Sequence, residues 1–136
     1  MNVRLWRLLQ DGGKPCIDLK WLLKLNKSGY TLNMKYFDKR IQSGASNPSL
    51  QEPLFTDLFR KKIKHEPRRA TERIESFHKN LASSAQSLIE KTYDRLLDSL
   101  QSRFSCRNLC LAGGIALNAE LNRKMLYSGK LKRLFV

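Results

Sequence analysis

"NLCLAGGIALN" runs from Asn108 to Asn118. A short apolar run meets two adjacent glycines and passes at once into a helical pattern, in a chain with 7 glycines among 136 residues. Glycine at such a corner adopts backbone angles that other residues avoid, and it lets another group approach the main chain closely. The flanking pattern predicts a strand over "NLCLA", a turn at Gly113-Gly114 and a helix over "IALNAELNRKMLYSG" that closes at Gly129. "KLKRLFV" then gives a second apolar run ending on Leu134, Phe135 and Val136, read as a buried strand. Strand, glycine turn, helix and strand make a βαβ unit, which implies a neighbouring parallel strand. The expected fold class is α/β.

Ahead of this unit lies a long helical pattern. Ile74, Phe77, Leu81, Ala85, Leu88, Ile89, Leu96, Leu97 and Leu100 recur at helical steps, with Thr71 as the N-cap and an end near Ser102. "LFTDLFRKKI" (Leu54 to Ile63) reads as a short amphipathic helix, and "IQSGASNPSLQEP" (Ile41 to Pro53) as a surface loop. "YTLNMKYF" alternates from Tyr30 to Phe37 and predicts a half-buried strand. "DLKWLLKLNKSG" reads as a short helix with Leu19, Leu22, Leu23 and Leu25 on its apolar side, stopped at Ser28-Gly29. "DGGKP" before it is a turn, and it lacks the Walker spacing and the Lys-Ser/Thr ending of a phosphate loop.

Composition narrows the function. No stretch approaches the apolar length of a membrane-spanning helix, and "MNVRLWRLLQDGGK" carries charges within its apolar start, so a cytoplasmic protein is expected. Cys16, Cys106 and Cys110 form no paired framework. Cys106 and Cys110 are four apart, but a tetrahedral site needs a second pair, so Cys110 is read as a small buried residue inside "LCLA". Twenty-six Lys and Arg against 12 Asp and Glu leave a net charge of +14, which favours anionic partners.

The corner itself suggests such a partner. Amides at the start of a helix are unpaired and carry the positive end of its dipole, so an anionic group binds well there. Gly113 and Gly114 at the head of a 115–128 helix are therefore candidates for a nucleotide or phosphate site. Asn118, one turn on, is expected on the side of Gly114 with an amide free to donate and accept. A helix that simply begins after a glycine turn is the plainer alternative.

The same residues carry a resemblance. "NLCLAGGIALNAELNRKM" resembles the signature of the carbamoyltransferases that modify Nod factors and antibiotics, which reads close to NLCLAGGVALNxxxNxK. A related GGxxxN segment occurs in tRNA threonylcarbamoyl-transfer proteins of the same actin-like ATPase fold. "HEPRRATERIESFHKNLASSAQSLIEK" is similar to the segment the family places ahead of this strand, and "GYTLNMKYFDKRI" to its short upstream strand. "DGGKPCIDL" matches a GxPxY region more distantly.

The resemblance implies that residues 1–136 form a single partial domain, part of the second lobe of an actin-like (ASKHA) ATPase. It implies transfer of a carbamoyl group from carbamoyl phosphate to a hydroxyl acceptor, through a carbamoyl-adenylate made with ATP and a divalent metal. Carried over by position, Gly113, Gly114 and Asn118 are nucleotide contacts, whereas Ser84 and Gln86 are read as packing and helix-polar residues. No catalytic residue is assigned.

The family's early histidine motif has no match. The two histidines are His65, expected to face solvent in a basic loop, and His78, expected on the long helix either partly buried or as a surface neighbour of Glu75; neither is read as a metal ligand. An incomplete domain, inactive alone, is the consequence. One alternative is a basic module that grips nucleic-acid phosphates with Lys and Arg at 60–73 and 123–133 and stacks bases on Tyr30, Tyr36 and Phe37; another is a non-catalytic interaction fragment that docks on the missing parts of its own family.

Overall fold

The computed structural model describes residues 12–26, 29–38, 54–69 and 71–136. The sequence readings at residues 1–11, the helix stop at Ser28 and the loop at 41–53 lie outside the described residues.

The chain is α/β. Strands β1 (Leu23–Asn26) and β2 (Gly29–Leu32) form an antiparallel pair, with Leu23 opposite Leu32 and Leu25 opposite Tyr30. A 3₁₀ turn, Met34–Tyr36, and helix α1, Asp57–Ile63, follow. Helix α2, Ser76–Arg103, is 28 residues long. Strand β3 (Asn108–Cys110), a second 3₁₀ turn (Gly114–Leu117), helix α3 (Ala119–Tyr127) and strand β4 (Arg133–Phe135) complete the order. β3 and β4 pair in parallel, with Leu109 opposite Leu134 and Cys110 opposite Phe135.

The βαβ unit expected from the glycine corner is present. Its core is Leu97 of α2, Leu121 and Met125 of α3, and Leu131, with Ile89, Tyr93, Leu109, Leu111 and Leu134 packed around them. Alternation along each short strand turns Leu109 and Leu134 toward this core. It also turns Cys110 outward, so Cys110 is exposed and not the buried residue that "LCLA" suggested.

Four local readings change. The stretch at 19–25 is not a helix. A turn at Asp18–Leu22 is held by the Trp21 indole donating to the Asp18 carbonyl and by the Leu22 amide donating to the Leu19 carbonyl, and β1 follows it. Leu23 and Leu25 fit an alternating as well as a helical period, and cross-strand pairing with β2 decides between them. The strand expected over Tyr30–Phe37 ends at Leu32, where the 3₁₀ turn begins; Phe37 returns to an isolated bridge with Phe55.

Helix α2 starts at Ser76 rather than after Thr71. Glu75 is its N-cap, and the Glu75 amide donates to His78 Nδ1 at 3.0 Å. The helix expected from Ile115 is interrupted. Gly113 and Gly114 head the 3₁₀ turn, and α3 starts only after Asn118, whose Oδ1 accepts the Leu121 amide at 3.0 Å. An asparagine that bonds its own following backbone favours the cap over the helix interior.

The amino-terminal segments rest on α2. Gly13 lies against the Lys79 backbone, the Lys14 amide donates to Asn80 Oδ1 at 2.8 Å, and the Ile17 amide donates to Ser84 Oγ at 3.0 Å. A set of rings joins the turn before β1 to α1: Trp21 meets Tyr36 edge-on at 4.5 Å, and Phe55 stacks on Phe59 at 4.1 Å. Burial pushes the Tyr93 phenol above its ordinary value, and Tyr30 adds to the shift.

Candidate functional site

The corner is built from the end of β3. The Leu111 amide donates to the Phe135 carbonyl at 2.8 Å, which extends the parallel pairing to the edge of the turn. Gly113 then takes φ 98° and ψ 173°, a conformation that L side chains rarely adopt. Its carbonyl accepts the Ala116 amide at 3.0 Å, and the Ile115 carbonyl accepts the Asn118 amide at 2.9 Å. Ala116 points inward and is buried; Gly113 and Gly114 are exposed. A β-carbon placed on either glycine would meet nothing within 4 Å. The corner is open, and no side chain plugs it.

Asn118 lies differently from the sequence expectation. It is buried, and its amide is engaged by the protein. Oδ1 accepts from the Leu121 amide and, at 3.4 Å, from Gln86 Nε2; Nδ2 donates to Gln86 Oε1 at 2.8 Å. Gln86 Nε2 also donates to Glu90 Oε1 at 2.8 Å, and Lys124 Nζ bonds Glu90 Oε2. Ser84 is buried and donates to the Asn80 carbonyl. Ser84 and Gln86 are thus packed polar residues of α2, as read from the sequence.

Asn122 was missed. Its Nδ2 donates to the Ala116 carbonyl at 2.7 Å and pins the 3₁₀ turn, while its Oδ1 is buried with no partner among the described residues. The second asparagine in "LNAELN" was the available signal.

The surface of α3 is charged but largely paired. Arg123 forks onto Glu120, with Nη2 donating to Oε1 at 2.6 Å and Nε to Oε2 at 3.0 Å; this bond holds the Glu120 carboxyl below its usual range. A groove of about 320 Å³ between α2 and α3 has Leu97, Leu121 and Met125 among its lining, with Glu90, Asp94 and Lys124. Neither glycine lines it.

The histidines meet away from the corner. His65 is half-buried rather than solvent-facing: it stacks on Phe77 at 3.8 Å and meets His78 edge-on at 5.1 Å. His78 Nε2 is buried without a partner among the described residues. Among the described residues, no three His, Cys, Asp or Glu are grouped to hold a metal ion, and no helix is long and apolar enough to cross a membrane. Of the rings invoked for base stacking, Tyr36 is buried against Trp21 and Phe37 packs on Phe55, whereas Tyr30 is half-exposed.

An open glycine corner between a parallel strand and a helix, backed by a long α2, defines an α/β class with an exposed main-chain turn at the end of its parallel sheet. Within that class the chain belongs to the carbamoyltransferase N-terminus family, which it matches over residues 8–136. It is 34% identical over 117 residues to the uncharacterized protein sll1178 of Synechocystis sp., covering 85% of this chain and 17% of that protein. It is 37% identical over 59 residues to the nodulation protein NolO of Bradyrhizobium diazoefficiens, covering 43% of this chain and 11% of that protein. The chain therefore spans less than a fifth of either relative.

Proposed function

We propose that this chain is the nucleotide-binding portion of a carbamoyltransferase, one that moves a carbamoyl group from carbamoyl phosphate to a hydroxyl acceptor with ATP as the activating cofactor. Family membership supports the reaction class. The observation that carries the site is the open corner: a positive-φ Gly113 beside Gly114, with nothing within 4 Å of either missing side chain. Phosphate oxygens fit against such an exposed main chain. Gly113 and Gly114 allow the approach, and Asn118 fixes the end of the turn through its cap on α3.

In this reading the chain forms part of the second lobe of an actin-like ATPase in a cytoplasmic setting. The described residues do not fit the divalent metal the family implies, so no step here runs through it. The remainder of the relatives' length would supply the other lobe and the acceptor site, and this portion alone turns over no carbamoyl phosphate.

The test is calorimetric titration of the purified chain with ATP, beside Gly114→Asp. Position 114 has ordinary backbone angles and open space, so aspartate adds a negative charge without a clash or positive-φ strain. Saturable binding by the native chain, weakened at least about tenfold in the variant at an unchanged melting temperature, is expected. Absence of binding by the native chain, or binding indifferent to the aspartate, removes the site.

A further inference from the structure

We infer that Gln86 is a positioning residue for the glycine corner, and that it leaves Asn118 able only to donate toward whatever the corner holds. The two residues are 32 positions apart, on α2 and at the head of α3, and both are buried. The oxygen and nitrogen of a carboxamide are nearly the same size, so packing alone does not choose which way each points. Their neighbours must choose.

Here the choice starts from a charge. The Glu90 carboxylate accepts hydrogen bonds and cannot donate when ionised. It lies 2.8 Å from Gln86 Nε2, which fixes that atom as the donor end and turns Oε1 to Asn118. Oε1 only accepts, so Asn118 must present Nδ2 to it, 2.8 Å away. Asn118 Oδ1 is then left for the Leu121 amide at 3.0 Å, which is the cap that starts α3 and ends the 3₁₀ turn. Lys124, one turn along α3, bonds the other oxygen of Glu90 and closes the ring of contacts. The orientation of the corner's cap is thus dictated from α2.

The consequence concerns ligand chemistry, and it rests on the nucleotide reading above. Asn118 Oδ1 already accepts two hydrogen bonds, and one Nδ2 hydrogen goes to Gln86. One Nδ2 hydrogen remains. Asn118 can therefore meet an acceptor such as a phosphate oxygen, and it has no acceptor capacity left for a ribose hydroxyl.

The test uses the ¹⁵N-labelled chain without ligand and then with ATP. Gln86→Met keeps the volume and removes the polarity. It is expected to move the backbone amide signals of residues 113–117 and to lower the exchange protection of the Leu121 amide by about tenfold, the worth of one buried hydrogen bond. The exchange Gln86→Glu with Glu90→Gln restores an acceptor facing Asn118 and a donor behind it. It should return those signals toward native, which a role in mere space-filling would not do. Should Gln86→Met fail to fold, Asn118→Ser keeps an oxygen for the cap but cannot reach Gln86, and the same signals are read.

Unmoved signals at 113–117 in a folded variant overturn the inference, as does failure of the paired exchange to restore them. With ATP, affinity falling in Gln86→Met and recovering in the paired exchange supports the positioning role, while affinity indifferent to Gln86→Met overturns it. A native chain that binds no ATP sinks the nucleotide reading and the donor-only consequence together, and the ligand-free signals still decide whether Gln86 sets the turn.

Discussion

A β-carbon at Gly13 would sit 2.3 Å from the carbonyl oxygen of Lys79, inside the backbone of α2. Backbone cannot swing aside as a side chain can, so Gly13→Ala forces the amino-terminal segment off the helix. Urea unfolding should show a loss of about 1–3 kcal/mol, the usual cost of overpacking. The corner glycines differ from Gly13 and from each other. Gly113 has open space but φ 98°, so Gly113→Ala should cost about 1–3 kcal/mol through backbone strain alone. Gly114 has neither a clash nor a positive φ, and Gly114→Ala should leave stability within about 0.5 kcal/mol of native or raise it slightly. Equal losses at 113 and 114 would contradict this backbone geometry.

Between elements, the link after α3 is clamped to α2. Lys130 bonds both Asp94 and Asp98, which lie one turn apart on the helix, and Gln101 donates to the Lys130 carbonyl. Arg107 Nη2 donates to the Gly129 carbonyl at 2.6 Å, just past the end of α3. The bonds to Asp94 and then Asp98 raise the Lys130 pKa above its ordinary 10.5. A raised lysine adds stability in full below its unfolded value and loses it as pH climbs through the folded one. Thermal melts of native and Lys130→Met chains should therefore differ by about 1 kcal/mol at neutral pH and low salt, and converge above pH 10.5. A gap that persists in strong alkali would locate the effect in packing of the lysine stem instead.

Taken whole, the molecule shows more apolar surface than its core explains. Phe104, Leu117, Tyr127, Phe135 and Val136 are each more than half exposed. Parallel sheets are ordinarily covered on both faces, yet β3 and β4 present Cys110 and Phe135 outward, side by side. The expected outcome is native-state binding of a hydrophobic dye and concentration-dependent self-association in sedimentation velocity, both relieved by Phe135→Lys. A monomer at all concentrations that binds no dye would show that the sheet needs no cover.

Much of this was legible in local pattern. The period of α2 and the strand–glycine–helix–strand order are written in neighbouring residues, and "LCLAGGIALN" was enough to point to the family. Three features were not local. Leu19, Leu22, Leu23 and Leu25 fit a helical stripe while Leu23 and Leu25 also alternate, and only the pairing of Leu23 with Leu32 and Leu25 with Tyr30 resolves them. Cys110 lies in an apolar run, but the pleat sets which of its neighbours faces the core. Asn118 looked like a free amide because its partner Gln86 is 32 residues away, and a hydrogen bond across that gap exists only once α2 and α3 have packed. Sequence by itself determined the body of α2 and the strand–glycine–helix–strand order, because those follow from the period and turn chemistry of adjacent residues. Tertiary structure alone decided the polarity of Asn118, because direction in a buried amide is imposed by groups brought together from distant parts of the chain.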